Sequence, residues 1–282
     1  MSHPYQGTSA ALATKHGKEN VLRDLFANIG VELQKIELDT DQLGTFSGEI
    51  PRSKDQLSTA LAKARLGISA SGFLLGLGSE GSIGADHQIP FMNSDLETLA
   101  WVDTRLGIEV IQNFRSFEIV AVREELTEPV ISDEFLNRAD FPNHALIVHG
   151  SGAHGSGAQI YKGIREFAEL ERAVEQTHSA VTDGVVIIES DLRAHMSPSR
   201  MANIRKCGEL LVARLQRLCP ECATPGFGEI APLLGLPCET CHEVVVTALR
   251  GQISGCARCD FREEVLAEIK VAPARLCNSC NP

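Results

Sequence analysis

Eight of the nine cysteines fall into four C-x-x-C pairs: Cys219/Cys222, Cys238/Cys241, Cys256/Cys259 and Cys277/Cys280. A C-x-x-C turn lets two thiolates reach one metal, and a tetrahedral structural zinc needs two such turns. Eight thiolates therefore predict two closed zinc sites with no open position for chemistry. Spacing alone leaves the pairing open. We favour a nested arrangement, in which the inner pairs (Cys238/Cys241 and Cys256/Cys259) share one zinc and the outer pairs the other; sequential pairing is the alternative. Cys207 stands outside the pairs, inside a long helical stretch, and reads as a small core residue.

The cysteine-bearing segment, 219–282, holds five basic residues (Arg250, Arg258, Arg262, Lys270, Arg275) against eight acidic ones. Zinc-bound thiolates add negative charge, and the whole chain carries −11. Such a surface repels phosphate backbones, so nucleic acid is an unfavourable partner. The segment reads as a structural element or a protein-contact surface.

A second set of reactive types lies nearer the N-terminus. Lys15 and Lys18 flank the start of a helix, where the macrodipole disfavours extra positive charge unless an anion sits there. Glu49 and Glu80 lie on two glycine-bearing loops, and two carboxylates at one end of a sheet could share a magnesium ion. Downstream, Lys162 and the run Asp191, Arg193, His195 and Arg200 make a dense polar patch in which charged neighbours could orient a histidine. His149 and His154 bracket a glycine-rich loop at 150–157 that lacks the G-K-[ST] of a Walker loop.

These residues need elements to carry them. A strand at Ala10–Ala13 leads into Thr14–Lys18, then a helix with Val21, Leu22, Leu25, Phe26 and Ile29 on one face, ending at Gly30. A strand follows around 31–38. Ser53 and Gln56 suggest a capping box for a helix carrying Leu57, Ala60, Leu61 and Ala64 inward and ending near Gly67. Phe73–Leu77 reads as a buried strand that delivers the loop Gly78–Gly84. Strands are predicted at 96–103, 107–114, 117–123, 145–149 and 184–189, with a helix at 162–178. The last long helix takes Ser197 as N-cap and Pro198 at its first position. In the cysteine segment, 238–259 reads as a ribbon, with a strand at 244–249.

Thr14-Lys15-His16-Gly17-Lys18, the Gly44–Glu49 loop and the Ser79–Gly84 loop resemble those of a bacterial family of unknown function. Its members also close on Cys-Asn-x-Cys-Asn-Pro, here Cys277–Pro282. More distantly, the same three loops resemble the inosine triphosphate pyrophosphatases: their opening T-x-N-x-x-K loop, their glycine–glutamate loop before a helix, and their acidic loop after a buried strand. His16 departs from their asparagine, Glu80 stands alone where two acids are common, and no S-H-R triplet is present. This resemblance implies a mixed twisted sheet flanked by helices and a magnesium-dependent hydrolase of phosphorylated small molecules. Glu49 and Glu80 would hold the ion, with Lys18 as the third catalytic residue. Thr14, Lys15, Lys162, Asp191, Arg193, His195 and Arg200 would hold the ligand.

The 282 residues suit an α/β domain over 1–218 followed by a zinc-ribbon module over 219–282. The longest apolar runs are too short to cross a bilayer, and the start lacks a secretory signal, which together suggest a cytoplasmic protein. The function expected is a magnesium-dependent hydrolase or binder of a nucleotide or related phosphorylated molecule. The alternative is a non-catalytic interaction protein whose pocket is degenerate and whose zinc module docks a protein partner.

Overall fold

The structure is a computed structural model that describes residues 3–38, 55–151, 159–181 and 185–282. The loop bearing Glu49, together with Ser53, His154 and most of the 150–157 glycine loop, lies outside the described residues.

The first layer grows from the buried run of β1 (Thr8–Ala13), which passes through α1 (Glu19–Ala27) into β2 (Val31–Ile36), parallel to β1. Leu22, Leu25 and Phe26 form the buried face of α1, and Gly30 turns the chain at φ +77°. Helix α2 (Gln56–Ser71) leads to β3 (Leu75–Ala85), then β4 (Asn93–Asp103) and β5 (Ile108–Ser116). The sheet order is β2-β1-β3-β4-β5, with β3 parallel to β1 and the last two strands antiparallel. Helix α2 covers one face; α1 and α5 (Pro198–Gln216) cover the other, around a core that includes Phe26, Leu77, Leu99, Trp101 and Leu211.

Helix α2 differs from expectation in both its cap and its end. Asp55 caps it by accepting from Ser58 N at 2.9 Å, and it runs through Gly67 to a left-handed Gly72. Its inward face is Thr59, Ala60, Ala64 and Gly67, whereas Leu57 is exposed. Small residues here let α2 lie almost on the sheet. A Cβ at Gly78 would fall 1.8 Å from Ala60 O. The same fact corrects the reading of Gly78–Gly84 as a loop. These glycines belong to strand β3, where Gly78 admits the α2 backbone and Gly81 the Glu97 and Arg200 side chains rather than a turn.

A second, wholly antiparallel sheet has the order β6-β9-β7-β8, from β6 (Arg123–Leu126), β7 (Leu146–Gly150), β8 (Ile160–Ile164) and β9 (Val186–Ser190). Helix α4 (Phe167–Ala180) packs Leu170, Ala173 and Val174 against it, beside Phe135 of α3 (Asp133–Arg138). The expected helix over 162–178 therefore begins later. Gly163 sits at φ +76°, outside helical space, and the apolar Ile160, Tyr161 and Ile164 belong to a strand. Residues 117–122 form no strand.

The third sheet is β10 (Gly228–Pro237), β11 (Val244–Gly255) and β12 (Arg262–Leu266), antiparallel in that order. It is joined to the first sheet by Arg214 of α5, which donates to Gly226 O (3.1 Å) and Ile111 O (2.8 Å). No described helix is long and apolar enough to cross a membrane.

Candidate functional site

Strand β1 sends the chain through α1 to β2 on one side, while β3 returns on the other. The carboxyl ends of β1 and β3 thus form a topological switch point, the place where open α/β sheets bind ligands. Leu12 pairs with Leu77, so Thr14 comes level with Ser79, and Lys18 follows at the N-cap of α1.

Period-two alternation along β3 splits the site between the two faces of the sheet. Toward α2, the Glu80 carboxylate is buried and meets Lys63 Nζ at 2.5 Å. Gln56 ties this face together by donating to Glu80 O (3.3 Å) and Leu96 O (2.7 Å). Toward α1 and α5, the Lys18 ammonium donates to Ser79 Oγ (2.9 Å) and Ser79 O (3.2 Å). Lys18 is only 6 % exposed, and no carboxylate lies within ion-pair distance of its Nζ among the described residues. Burial, then Arg200 nearby, lowers its pKa to about 7.

Deeper on that face, the carboxylate of Glu97 accepts from Arg200 Nε at 2.7 Å, and Arg200 Nη1 donates to Leu192 O at 2.6 Å. Gly81 lies opposite Glu97; a Cβ there would come within 2.4 Å of Glu97 Oε1, so the close pair requires glycine. Two residues along β4, Asp95 Oδ2 accepts from Asn203 Nδ2 at 2.9 Å. Asp95 and Glu97 are both fully buried.

At the rim, the His16 and His195 rings stack with centroids 5.0 Å apart and planes 6° apart. Gly17 (φ +69°) brings the α1 loop against His195, whose pKa is lowered by burial and by Arg193. Asp191 and Arg193 bind each other, with Arg193 Nε at 2.9 and 3.1 Å from the two carboxylate oxygens. Thr14 Oγ1 accepts from His16 N at 3.2 Å, and exposed Lys15 lines a cavity of about 440 Å³ with Thr14, Lys35, Glu37 and Leu38. Lys162 lies half-buried on β8.

The structure therefore brings Lys18, Ser79 and Arg200 to one face, places Glu80 on the other face of the same strand, and sets His195 against His16. Glu49 lies outside the described residues. Lys63, Asp95, Glu97 and Asn203 join the site without having been singled out. The signal for the two acids was present: at period two, Asp95, Glu97, Leu99 and Trp101 share one face of a strand whose other members are core.

Arg200 reaches Glu97 because α5 starts where it does. Ser197 caps it, accepting from Arg200 N. Ser199 is held by His144, whose Nε2 lies 2.9 Å from Ser199 Oγ and accepts from Ser199 N at 3.1 Å. His144 Nδ1 in turn meets Asp140 at 2.8 Å. An ionised Asp140 only accepts, so Nδ1 carries the proton, Nε2 accepts, and the hydroxyl hydrogen points at His144. These bonds tie the start of α5 to the segment that leads into β7.

The cysteines form two four-thiol groups, Cys219/Cys222/Cys256/Cys259 and Cys238/Cys241/Cys277/Cys280, with all sulfurs of each within 4.8 Å of one another. Neither nested nor sequential pairing holds: the pairs interleave. The β10–β11 hairpin is the reason. It puts Cys238 and Cys241 at its connecting end and Cys256 just past its open end, ten strand residues or roughly 30 Å away. Closest sulfur contacts of 3.7 Å (Cys219–Cys259), 3.6 Å (Cys222–Cys256), 3.8 Å (Cys238–Cys280) and 3.5 Å (Cys241–Cys277) match the ~3.8 Å edge of a tetrahedron with zinc–sulfur bonds near 2.3 Å. Thr240 N and Arg258 N point at Cys238 Sγ and Cys256 Sγ, as N–H groups do around metal-bound thiolates. Each group could hold a metal ion, and the donor set is consistent with zinc.

Residues 63–282 match the model of a family described as Domain of unknown function (DUF6671). The chain belongs to this family. The family match takes in Lys63, Glu80, Asp95, Glu97, Asp191, Arg193, His195, Arg200 and all eight paired cysteines; Thr14, Lys15, Lys18 and Glu49 precede it. No curated protein and no solved structure matches the chain.

Proposed function

We propose that the chain binds a phosphorylated small molecule, a nucleotide or a close relative, at the carboxyl ends of β1 and β3, the switch point of the first sheet. One observation carries this reading: Lys18 is a buried ammonium at a helix N-terminus, bonded among the described residues only to a neutral serine. Burying a cation without an ionic partner is unfavourable, and so is placing it at the positive end of a helix. An anion bound beside Lys18 would relieve both penalties. Lys15 and Lys35 at the neighbouring cavity, and the imidazoles of His16 and His195, would meet the rest of the ligand. The distant likeness of the Thr14–Lys18 and Ser79–Gly81 segments to inosine triphosphate pyrophosphatases points to the same ligand class.

Hydrolysis is the catalytic form of the proposal, with Lys18 and Arg200 stabilising charge on the phosphoryl group. For magnesium, the described residues offer Glu80, already bonded to Lys63, and no set of three metal-ligating side chains beside it. The expected second ligand, Glu49, lies outside the described residues. The two cysteine groups we assign to two structural zinc ions, which would supply folding energy to a segment with little core of its own.

Calorimetric titration of the zinc-loaded protein with nucleoside triphosphates and with pyrophosphate tests the reading. Binding that Lys18→Met abolishes supports it; binding that survives Lys18→Met refutes it. Released phosphate or pyrophosphate in the same samples decides between binder and hydrolase. The interaction-protein alternative draws on the exposed Val244, Val246, Leu249, Leu266 and Ile269 of the cysteine segment, and would stand if no phosphorylated compound binds.

A further inference from the structure

Asp95 and Glu97 present a problem of hydrogen-bond accounting. Both are fully buried on the same face of β4, two residues apart, and Asp95 Oδ1 and Glu97 Oε2 have no hydrogen-bond partner. Each carboxylate's other oxygen is used, by Asn203 and Arg200 respectively. Two buried carboxylates side by side cannot both ionise without severe repulsion, and two orphaned oxygens in one place are rare in native interiors. A single hydrogen atom removes both difficulties.

We infer that Asp95 and Glu97 share one proton, and that this proton leaves the chamber beneath the switch point with a surplus positive charge that receives the anion. The inference rests on the binding site proposed above and adds its regulation. The charged groups facing the pair are Arg200 from α5 and Lys18 from α1, beside the neutral Cys207 thiol of α5. With the proton in place, Lys18 and Arg200 supply two positive charges and the pair one negative. Without it the chamber is neutral. The carboxylates act on each other first through burial, which raises the Asp95 pKa to about 7, with Glu97 adding to the rise. Anion binding is therefore coupled to retention of the proton, and affinity falls as pH climbs above about 7, by up to tenfold per pH unit.

Asp95→Asn separates this proton from every other titrating group. The amide copies the protonated acid: its oxygen can accept from Asn203 and its NH2 can donate to Glu97. Infrared difference spectra of the zinc-loaded wild-type protein at pH 6 should show a buried carboxylic-acid carbonyl band that is missing from Asp95→Asn. Titrations with inorganic pyrophosphate from pH 6 to 9 should show a shallower loss of affinity for Asp95→Asn than for wild type; the remaining slope belongs to Lys18. No acid band, or identical pH profiles for the two proteins, overturns the inference. If the band is present but pyrophosphate binds neither protein at any pH, the anion site is refuted and the charge role with it, while the shared proton stands on the spectrum alone.

Discussion

Lys18→Met should make the ligand-free protein more stable at pH 6, an unusual outcome for a change inside a buried network. The ammonium's pKa falls from 10.5 to about 7 on folding, chiefly through burial. At 1.36 kcal/mol per pH unit this corresponds to about 5 kcal/mol of destabilisation when the group is charged. The sign follows from proton counting. Between about pH 7 and 10.5 the unfolded chain binds more protons at this lysine than the native one, so stability rises with pH through that window. Below pH 7 the whole penalty applies. Methionine keeps the length of the side chain and removes the charge, but it leaves Ser79 without its donor, a loss of about 1–3 kcal/mol. Net stabilisation at pH 6 is then about 3 kcal/mol, shrinking by up to ~1.4 kcal/mol per pH unit above 7 and reversing near pH 9. Urea denaturation of zinc-loaded wild type and Lys18→Met from pH 6 to 9.5 reads the difference directly. A variant less stable than wild type at pH 6, or a difference that does not change with pH, would show that the lysine is a satisfied structural group and remove the main argument for an anion site.

Three further outcomes follow from the geometry. Metal analysis should find about one zinc in Cys222→Ser/Cys256→Ser, whose positions share a site, and close to none in Cys241→Ser/Cys256→Ser, whose positions do not; a nested arrangement gives the opposite result. Arg200→Met, which leaves Glu97 buried without its cation, should destabilise by about 3–5 kcal/mol in urea titrations, and appreciably less when combined with Glu97→Gln. His144→Ala removes the group that holds Ser199 at the start of α5 and should destabilise by about 1–2 kcal/mol, with weaker pyrophosphate binding because Arg200 loses its seat.

The residues show which parts of this molecule were legible in its sequence. The Pro198 helix with its Ser197 cap, the β1–α1–β2 unit and the gathering of the eight paired cysteines into two four-thiol groups all rest on local rules, namely caps, periodicity and knuckle spacing, and these appear in the structure. The cysteine pairing was not legible, because it depends on which end of a ten-residue hairpin each knuckle occupies. Gly78 and Gly81 misled for a related reason. Glycine marks both turns and close approaches, and only the packing on the two faces of β3, α2 against Gly78 and the Glu97–Arg200 pair against Gly81, distinguishes them. Lys63 and Glu97 come to the site from a helix and a strand remote in sequence from Lys18. The contribution of Glu97 depends on the register of β3 against β4, where Gly81 faces it, and that of Lys63 on the packing of α2 over β3. Glu80 stood out in the sequence, but as a loop acid; its place inside a strand puts it on the opposite face from Lys18.

The most direct test of the anion site is diffraction from crystals of the zinc-loaded protein grown with tungstate, an electron-dense phosphate mimic. The account predicts a tungsten peak within hydrogen-bonding reach of Lys18 Nζ at the end of β1, absent from Lys18→Met crystals. Tungsten bound only elsewhere, or none at full tungstate concentration beside two ordered zinc ions, would contradict it.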